Sequence, residues 1–205
     1  YIFPVEQQLC DEWVKWGTKL ACLEMIASGT TTFCDMYLFE QSVAETVDEM
    51  GLRALLGEVL YDFPSPNYGE PANGLAYTRE LIDRWTGHDR RRIAVEPHAP
   101  YTCSPDLLRQ CRALAEERDV PLIIHLAETE SETEQIRDRY GVGPVEHLAN
   151  LGLLNSRLIA DHVVHPSPGD LDRMAAAGVR VVHCPESNMK LASGAAPVPD
   201  MHQRG

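Results

Sequence analysis

The chain has no CxxC pair, no apolar run of membrane-spanning length, and no glycine-rich phosphate loop after any apolar segment. Each absence excludes a class. The six cysteines are scattered, and Cys10, Cys22, Cys34, Cys111 and Cys184 lie in apolar or strand-like contexts. They are expected to be buried free thiols of a reducing, cytoplasmic compartment. No membrane-crossing helix is expected. A doubly wound nucleotide-binding sheet lacks its signature. The opening Tyr1-Ile2-Phe3-Pro4 has neither a basic n-region nor a signal-like apolar core. Positive charge is scarce, with 18 Lys and Arg against 31 Asp and Glu, a net charge of −13. Such a surface repels nucleic acid and anionic membranes, so a small-molecule partner is expected. The chain opens on Tyr in mid-motif and stops at Met201-His202-Gln203-Arg204-Gly205, which reads as a helix running into its C-terminal glycine. A fragment of a larger protein is the expectation.

What is present is ordinary globular material: 205 residues, 44% hydrophobic and 24% charged, enough for one sizeable core. The organising stretch is Val120-Pro121-Leu122-Ile123-Ile124-His125-Leu126-Ala127-Glu128-Thr129. A continuous apolar run without polar alternation reads as a strand buried on both faces, as in a parallel sheet. It ends on a histidine, with a carboxylate three residues on. Taken singly, a strand-end histidine is as readily a hydrogen-bonded structural residue as a metal ligand.

The pattern recurs. Helices are predicted over 6–28, with an apolar stripe of Leu9, Trp13, Trp16, Leu20, Leu23 and Ala27, and over 41–50 and 74–85. Strands are predicted over 30–37, 53–61, 93–98, 120–125, 158–162 and 180–183. Gly29 and Gly51 serve as helix stops. Ser104-Pro105-Asp106 opens one helix, Ser131 with Glu134 makes a capping box for another, and Ser167-Pro168 caps a third that runs to Ala177. The proline-rich loop over 62–71 is either a connection or, through Phe63 and Tyr68, a substrate wall. Six strand-then-helix units at roughly thirty-residue spacing argue an α/β fold with a parallel sheet and outer helices. Four successive strands end in His98, His125, His162 and His183. An open sheet would spread these ends along a line, whereas a barrel gathers them at one mouth. A partial (β/α)8 barrel is therefore expected, as one domain over residues 1–205. His88, His147, His165 and His202 fall in loops or helices and are read as structural.

Several histidines and a carboxylate at one mouth suggest a metal-activated water: zinc lowers the pKa of bound water to about 7, and a nearby Glu can relay its proton. The segments Pro97-His98-Ala99-Pro100-Tyr101-Thr102-Cys103-Ser104, His125-Leu126-Ala127-Glu128-Thr129 and His183-Cys184-Pro185-Glu186-Ser187-Asn188-Met189-Lys190-Leu191-Ala192-Ser193-Gly194 resemble the amidohydrolase superfamily. They are most similar to its 5-methylthioadenosine/S-adenosylhomocysteine deaminase branch. The resemblance implies a metal-dependent (β/α)8 barrel with one Zn2+, or another divalent metal such as Fe2+, per subunit. It implies that His125 binds the metal, Glu128 contacts substrate and shuttles protons, and His162 orients the attacking water. His98 and His183 are implied to contact substrate, and Glu6 to accept hydrogen bonds from ribose hydroxyls. From its helix alone, Glu6 reads as a first-turn acid.

The implied reaction is hydrolytic deamination of an adenine-type ring. Family members have a His-x-His pair that would precede Tyr1 and a metal-binding Asp that would follow Gly205. One histidine cannot hold zinc tightly, so the chain alone is expected to be inactive. Some members carry Arg where Glu58 stands, and Val59 to Thr78 contains no Arg or Lys. That tilts the substrate from S-adenosylhomocysteine toward methylthioadenosine or adenosine. A guanine deaminase or triazine-type amidohydrolase is the nearest alternative, and a non-catalytic truncated scaffold the alternative from another class. The uncovered barrel edges admit self-association and a homo-oligomer.

Overall fold

A computed structural model describes residues 3–205. Tyr1 and Ile2, the first half of the segment read for a leader, lie outside them. The chain divides into two compact units, one ending at Glu96 and the other running from Pro97 to Gly205.

The first unit is a parallel sheet with helices. β1 (Thr32–Tyr37) pairs β2 (Arg53–Leu60) in the register Thr32↔Arg53 to Tyr37↔Glu58, and β2 pairs β3 (Arg91–Ile93). β2 is the central strand, and its last five residues are buried. That is the continuous burial of a strand covered on both faces. Its helices are α1 (Phe3–Glu6), α2 (Asp11–Ser28), α3 (Glu40–Met50) and α4 (Pro71–Trp85). Gly29 and Gly51 close α2 and α3 at φ 87° and 83°, left-handed positions where a side chain would be strained.

Two expectations need correction here. The predicted helix from Glu6 is two elements, because the chain turns between Glu6 and Asp11, with extended Cys10 at the cap. Glu6 therefore does not sit in the first turn of α2. The predicted stripe does not form core: Trp13, Trp16, Leu20 and Leu23 are each more than half exposed, while α2 buries Val14 and Cys22. A periodic stripe tells which face seeks cover, but not whether cover is present in this chain.

The loop over 62–71 folds onto its own unit. Tyr68 is buried and its hydroxyl donates to the Val59 carbonyl at 3.1 Å, Phe63 stacks on Tyr61 at 3.8 Å, and Ser65 pairs with Gly69. Tyr68 is thus core rather than wall.

The second unit is again parallel. β5 (Leu122–Leu126), β6 (Leu158–His162) and β7 (Arg180–Val182) pair in that order, with Leu122↔Leu158 to Leu126↔His162 in register. Short β4 (Glu96–Pro97) lies at the division between the units. α5 (Pro105–Arg118), α6 (Glu130–Tyr140) and α8 (Pro168–Ala177) follow their strands as predicted; the helix expected near the C-terminal glycine is α10 (Val198–His202), which starts and ends earlier than read, and α7 (Pro144–Asn150) and α9 (Pro185–Lys190) are additional. Ser104 caps α5 and the Ser167–Asp170 capping box opens α8. For α6 the cap is Thr129, whose hydroxyl accepts from the Glu132 N–H at 3.1 Å, not Ser131 with Glu134. The S/T-x-x-E spacing fits both pairs, and the earlier one starts the helix two residues sooner.

Of the five cysteines expected to be buried, Cys22 and Cys111 are buried, Cys184 is half-buried, and Cys10 and Cys34 are exposed, so the expectation holds in part. Among the described residues no helix is long and apolar enough to cross a membrane.

Candidate active site

The second unit brings three of the four strand-end histidines together. His98 follows β4, and its carbonyl accepts from the His125 N–H at 3.0 Å, which ties it to β5. The His98 and His125 rings meet edge to face at 5.1 Å and 89°; His125 and His162 meet at 5.1 Å and 61°. In register, Leu126 faces His162 across the β5–β6 pair, which sets the two histidines one step apart along adjacent strands. Glu128 reaches the same cluster, with Oε1 3.9 Å from His162 Nε2.

Two of the three imidazoles have an orienting hydrogen bond. His98 Nδ1 lies 2.9 Å from the Thr102 hydroxyl, and Tyr101 meets its ring edge to face at 5.8 Å. Burial, with His125 beside it, pulls His98 down to about 4, so it is neutral at physiological pH. His162 Nδ1 lies 2.8 Å from Asn188 Oδ1, on α9. An amide oxygen only accepts, so Nδ1 donates to it and Nε2 is the nitrogen that faces Glu128. His162 holds φ at 71°, Val163 at 44° and Ala127 at 49°. Left-handed non-glycine residues are costly and concentrate at functional sites.

His183 does not join the cluster. It is exposed after β7, a three-residue strand at the end of the strand order, and lines a separate cavity of about 510 Å³ with Val198, Met201 and His202. Glu6, in the other unit, accepts from the Tyr37 hydroxyl through Oε1 at 3.0 Å.

Sequence reasoning missed three contributors. Asp161 puts Oδ2 3.4 Å from His125 Nδ1. Asn188 is 1% exposed and sets the His162 tautomer. Glu132 is 1% exposed and accepts from the Ala127 and Glu128 backbone N–H groups. Burial lifts its carboxyl to about 7 against the pull of those two amides. The signals were there: Asp161 adjoins His162, Asn188 lies in a quoted motif, and Thr129-x-x-Glu132 is a capping spacing. Three of the four histidines read as structural have ring contacts of their own. His147, for one, stacks on Tyr140 at 4.1 Å, and His165 Nε2 donates to the Ser193 carbonyl at 2.6 Å.

The donors fit one wall of a metal site. His125 Nδ1 is buried without a hydrogen-bond partner and has Asp161 as its nearest carboxylate. A histidine that ligates through one nitrogen commonly engages a carboxylate through the other. Among the described residues no group of three or more His, Cys, Asp or Glu is placed to hold a metal ion. A four-coordinate site would thus need ligands beyond this set.

Comparison with known proteins shows the family and the fold. Residues 4–205 match the model of the Amidohydrolase family. A 5-methylthioadenosine/S-adenosylhomocysteine deaminase of Syntrophobacter fumaroxidans is 60% identical over 205 residues, covering 100% of this chain and 47% of that protein. An adenosine deaminase from Xanthomonas campestris, solved with bound zinc, superposes with a TM-score of 0.97 at 38% identity, over 100% of this chain and 47% of that one. The guanine deaminase of E. coli superposes with a TM-score of 0.88 at 25% identity, over 98% and 49%. The chain spans about half the length of the curated relatives it matches. Its fold class is the α/β barrel type of those structures, with about half of the fold represented.

Proposed function

The chain belongs to the amidohydrolase family, and from that membership we propose that it carries part of the active site of a hydrolytic deaminase of adenine nucleosides, of the 5-methylthioadenosine, S-adenosylhomocysteine or adenosine type. The two units are read as one incomplete barrel domain. The observation that carries the reading is the grouping of His98, His125 and His162 with Glu128 Oε1 3.9 Å from His162 Nε2.

In this reading His125 holds a divalent metal, zinc or iron, alongside ligands from outside the chain. The chemistry such an ion supplies is a water acidic enough to attack near neutral pH. Glu128 takes the proton of that water, delivers it to the ring nitrogen, and then assists the loss of ammonia. The carbon–oxygen bond forms as the first water proton reaches the ring nitrogen, and the second proton passes to the exocyclic amine as its bond to carbon breaks and ammonia leaves. His162 orients the water through Nε2, its ring held to that task by the Asn188 hydrogen bond. Neutral His98 contacts the purine. Glu6 spends Oε1 on Tyr37 and keeps Oε2 for ribose hydroxyls.

Glu58 favours the smaller nucleosides. Its carboxylate is fully buried and accepts from the Phe39 and Glu40 N–H groups and from Asn67 Nδ2. It offers no cation to a homocysteine carboxylate, and neither does the Lys- and Arg-free stretch from Val59 to Thr78.

The test is a deamination screen of the full-length protein with methylthioadenosine, S-adenosylhomocysteine, adenosine and guanine, and assay of bound metal. Methylthioadenosine and adenosine are the expected substrates, with one divalent ion per subunit. Glu6→Gln is expected to raise KM for methylthioadenosine about tenfold, the worth of one hydrogen bond to a charged group. Turnover of guanine alone would reassign the substrate, and no turnover at all would favour a scaffold.

A further inference from the structure

The loop that carries Glu128 is braced from both sides. The Ala127 carbonyl accepts from the Val164 and His165 N–H groups, each at 2.9 Å. From α6, the Glu132 carboxylate grips two successive amides: Oε1 accepts from the Ala127 N–H at 2.9 Å and Oε2 from the Glu128 N–H at 2.8 Å. Between them Ala127 is held at φ 49°, a left-handed conformation that a non-glycine residue adopts only when its surroundings hold it there. Thr129 caps the Glu132 N–H itself, so the helix end, the carboxylate and the loop close on one another. Glu132 is 1% exposed, and both its oxygens are committed to the backbone.

We propose that Glu132 is a positioning residue for the deaminase reaction, fixing the backbone from which the Glu128 side chain reaches His162 Nε2. The inference rests on the assignment of Glu128 as the proton shuttle. The geometry calls for a carboxylate in particular. Two adjacent N–H groups need two acceptors, and a glutamine would turn its NH2 toward one of them. Misplacing a reacting group by an ångström slows proton transfer without weakening substrate binding elsewhere. Glu132 therefore governs kcat and leaves KM alone.

The experiment measures kcat, KM, melting temperature and metal content for Glu132→Gln, Glu128→Gln and the double variant, in the full-length protein on its best substrate. Glu132→Gln is expected to lower kcat about 30-fold, with KM within twofold and metal content unchanged. In the Glu128→Gln background it is expected to add nothing, because its action runs through Glu128. Glu132→Asp keeps the charge but shortens the reach; it should give the same non-additive loss and serves if the glutamine variant does not accumulate. A full multiplicative loss on top of Glu128→Gln, or a wild-type kcat in Glu132→Gln, overturns the inference alone. A wild-type kcat in Glu128→Gln overturns the assignment of Glu128, and this inference with it.

Discussion

In the unit ending at Glu96, burial pushes three carboxyls upward together: Asp35 to about 6, Glu58 to about 7, and Glu40 well above its ordinary range, with Asp35, Glu96 and Glu58 adding repulsion at Glu40. Both Glu40 oxygens are buried without a hydrogen-bond partner among the described residues. In the unit from Pro97, buried groups of both kinds share one place: His98 is pulled down to about 4, Glu132 is pushed up to about 7, and His125, His162 and Glu128 lie alongside. The first arrangement stores like-charged acids that are easiest to keep protonated. The second places acceptors and donors of differing proton affinity within reach of each other, which is what proton transfer needs.

Three expected outcomes would break or sharpen this contrast. The largest concerns packing. Ile124 is fully buried on β5, so Ile124→Ala should cost about 2–5 kcal/mol in a denaturant melt. A loss below 1 kcal/mol would mean that β5 is not the core strand of its unit. Next is the acid cluster. The raised carboxyls bind protons in the folded state that they release on unfolding, so their contribution is present below about pH 4.5 and is lost as pH rises through about 7. Glu40→Gln should raise the melting temperature at pH 8 and flatten the decline between pH 5 and 8, as followed by thermal melts across pH. An unchanged slope would remove Glu40 from the cluster. In the second unit the signs oppose: His98 loses stability as pH falls from about 6.5 toward 4, and Glu132 loses it as pH rises toward 7. The smallest effect is at the exposed stripe. Trp16→Ala should change the stability of the isolated chain by less than about 0.5 kcal/mol, because the indole is 67% exposed.

Strand β5 was legible because five apolar residues before a histidine admit little other than a doubly covered strand. The β6 strand, the α5 and α8 caps and the six-unit alternation followed from equally local signals. Three histidines could be gathered from sequence because parallel neighbours bring their ends together. His183 could not be separated from them, since its strand end reads like the other three in sequence. The α2 stripe misled for a related reason: Trp13 and Trp16 report a demand for cover that this chain does not meet. Glu132 and Asn188 were hidden because each acts through a backbone amide or another side chain, and no motif spacing states whom a buried polar group will bond.

The most direct measurement is the kcat of Glu128→Gln in the full-length protein with methylthioadenosine, read from released ammonia. A fall of about 10²–10⁴-fold with KM little changed is the expected result for loss of a general acid–base group. Turnover at the wild-type rate would contradict it and leave the histidine cluster without a proton carrier.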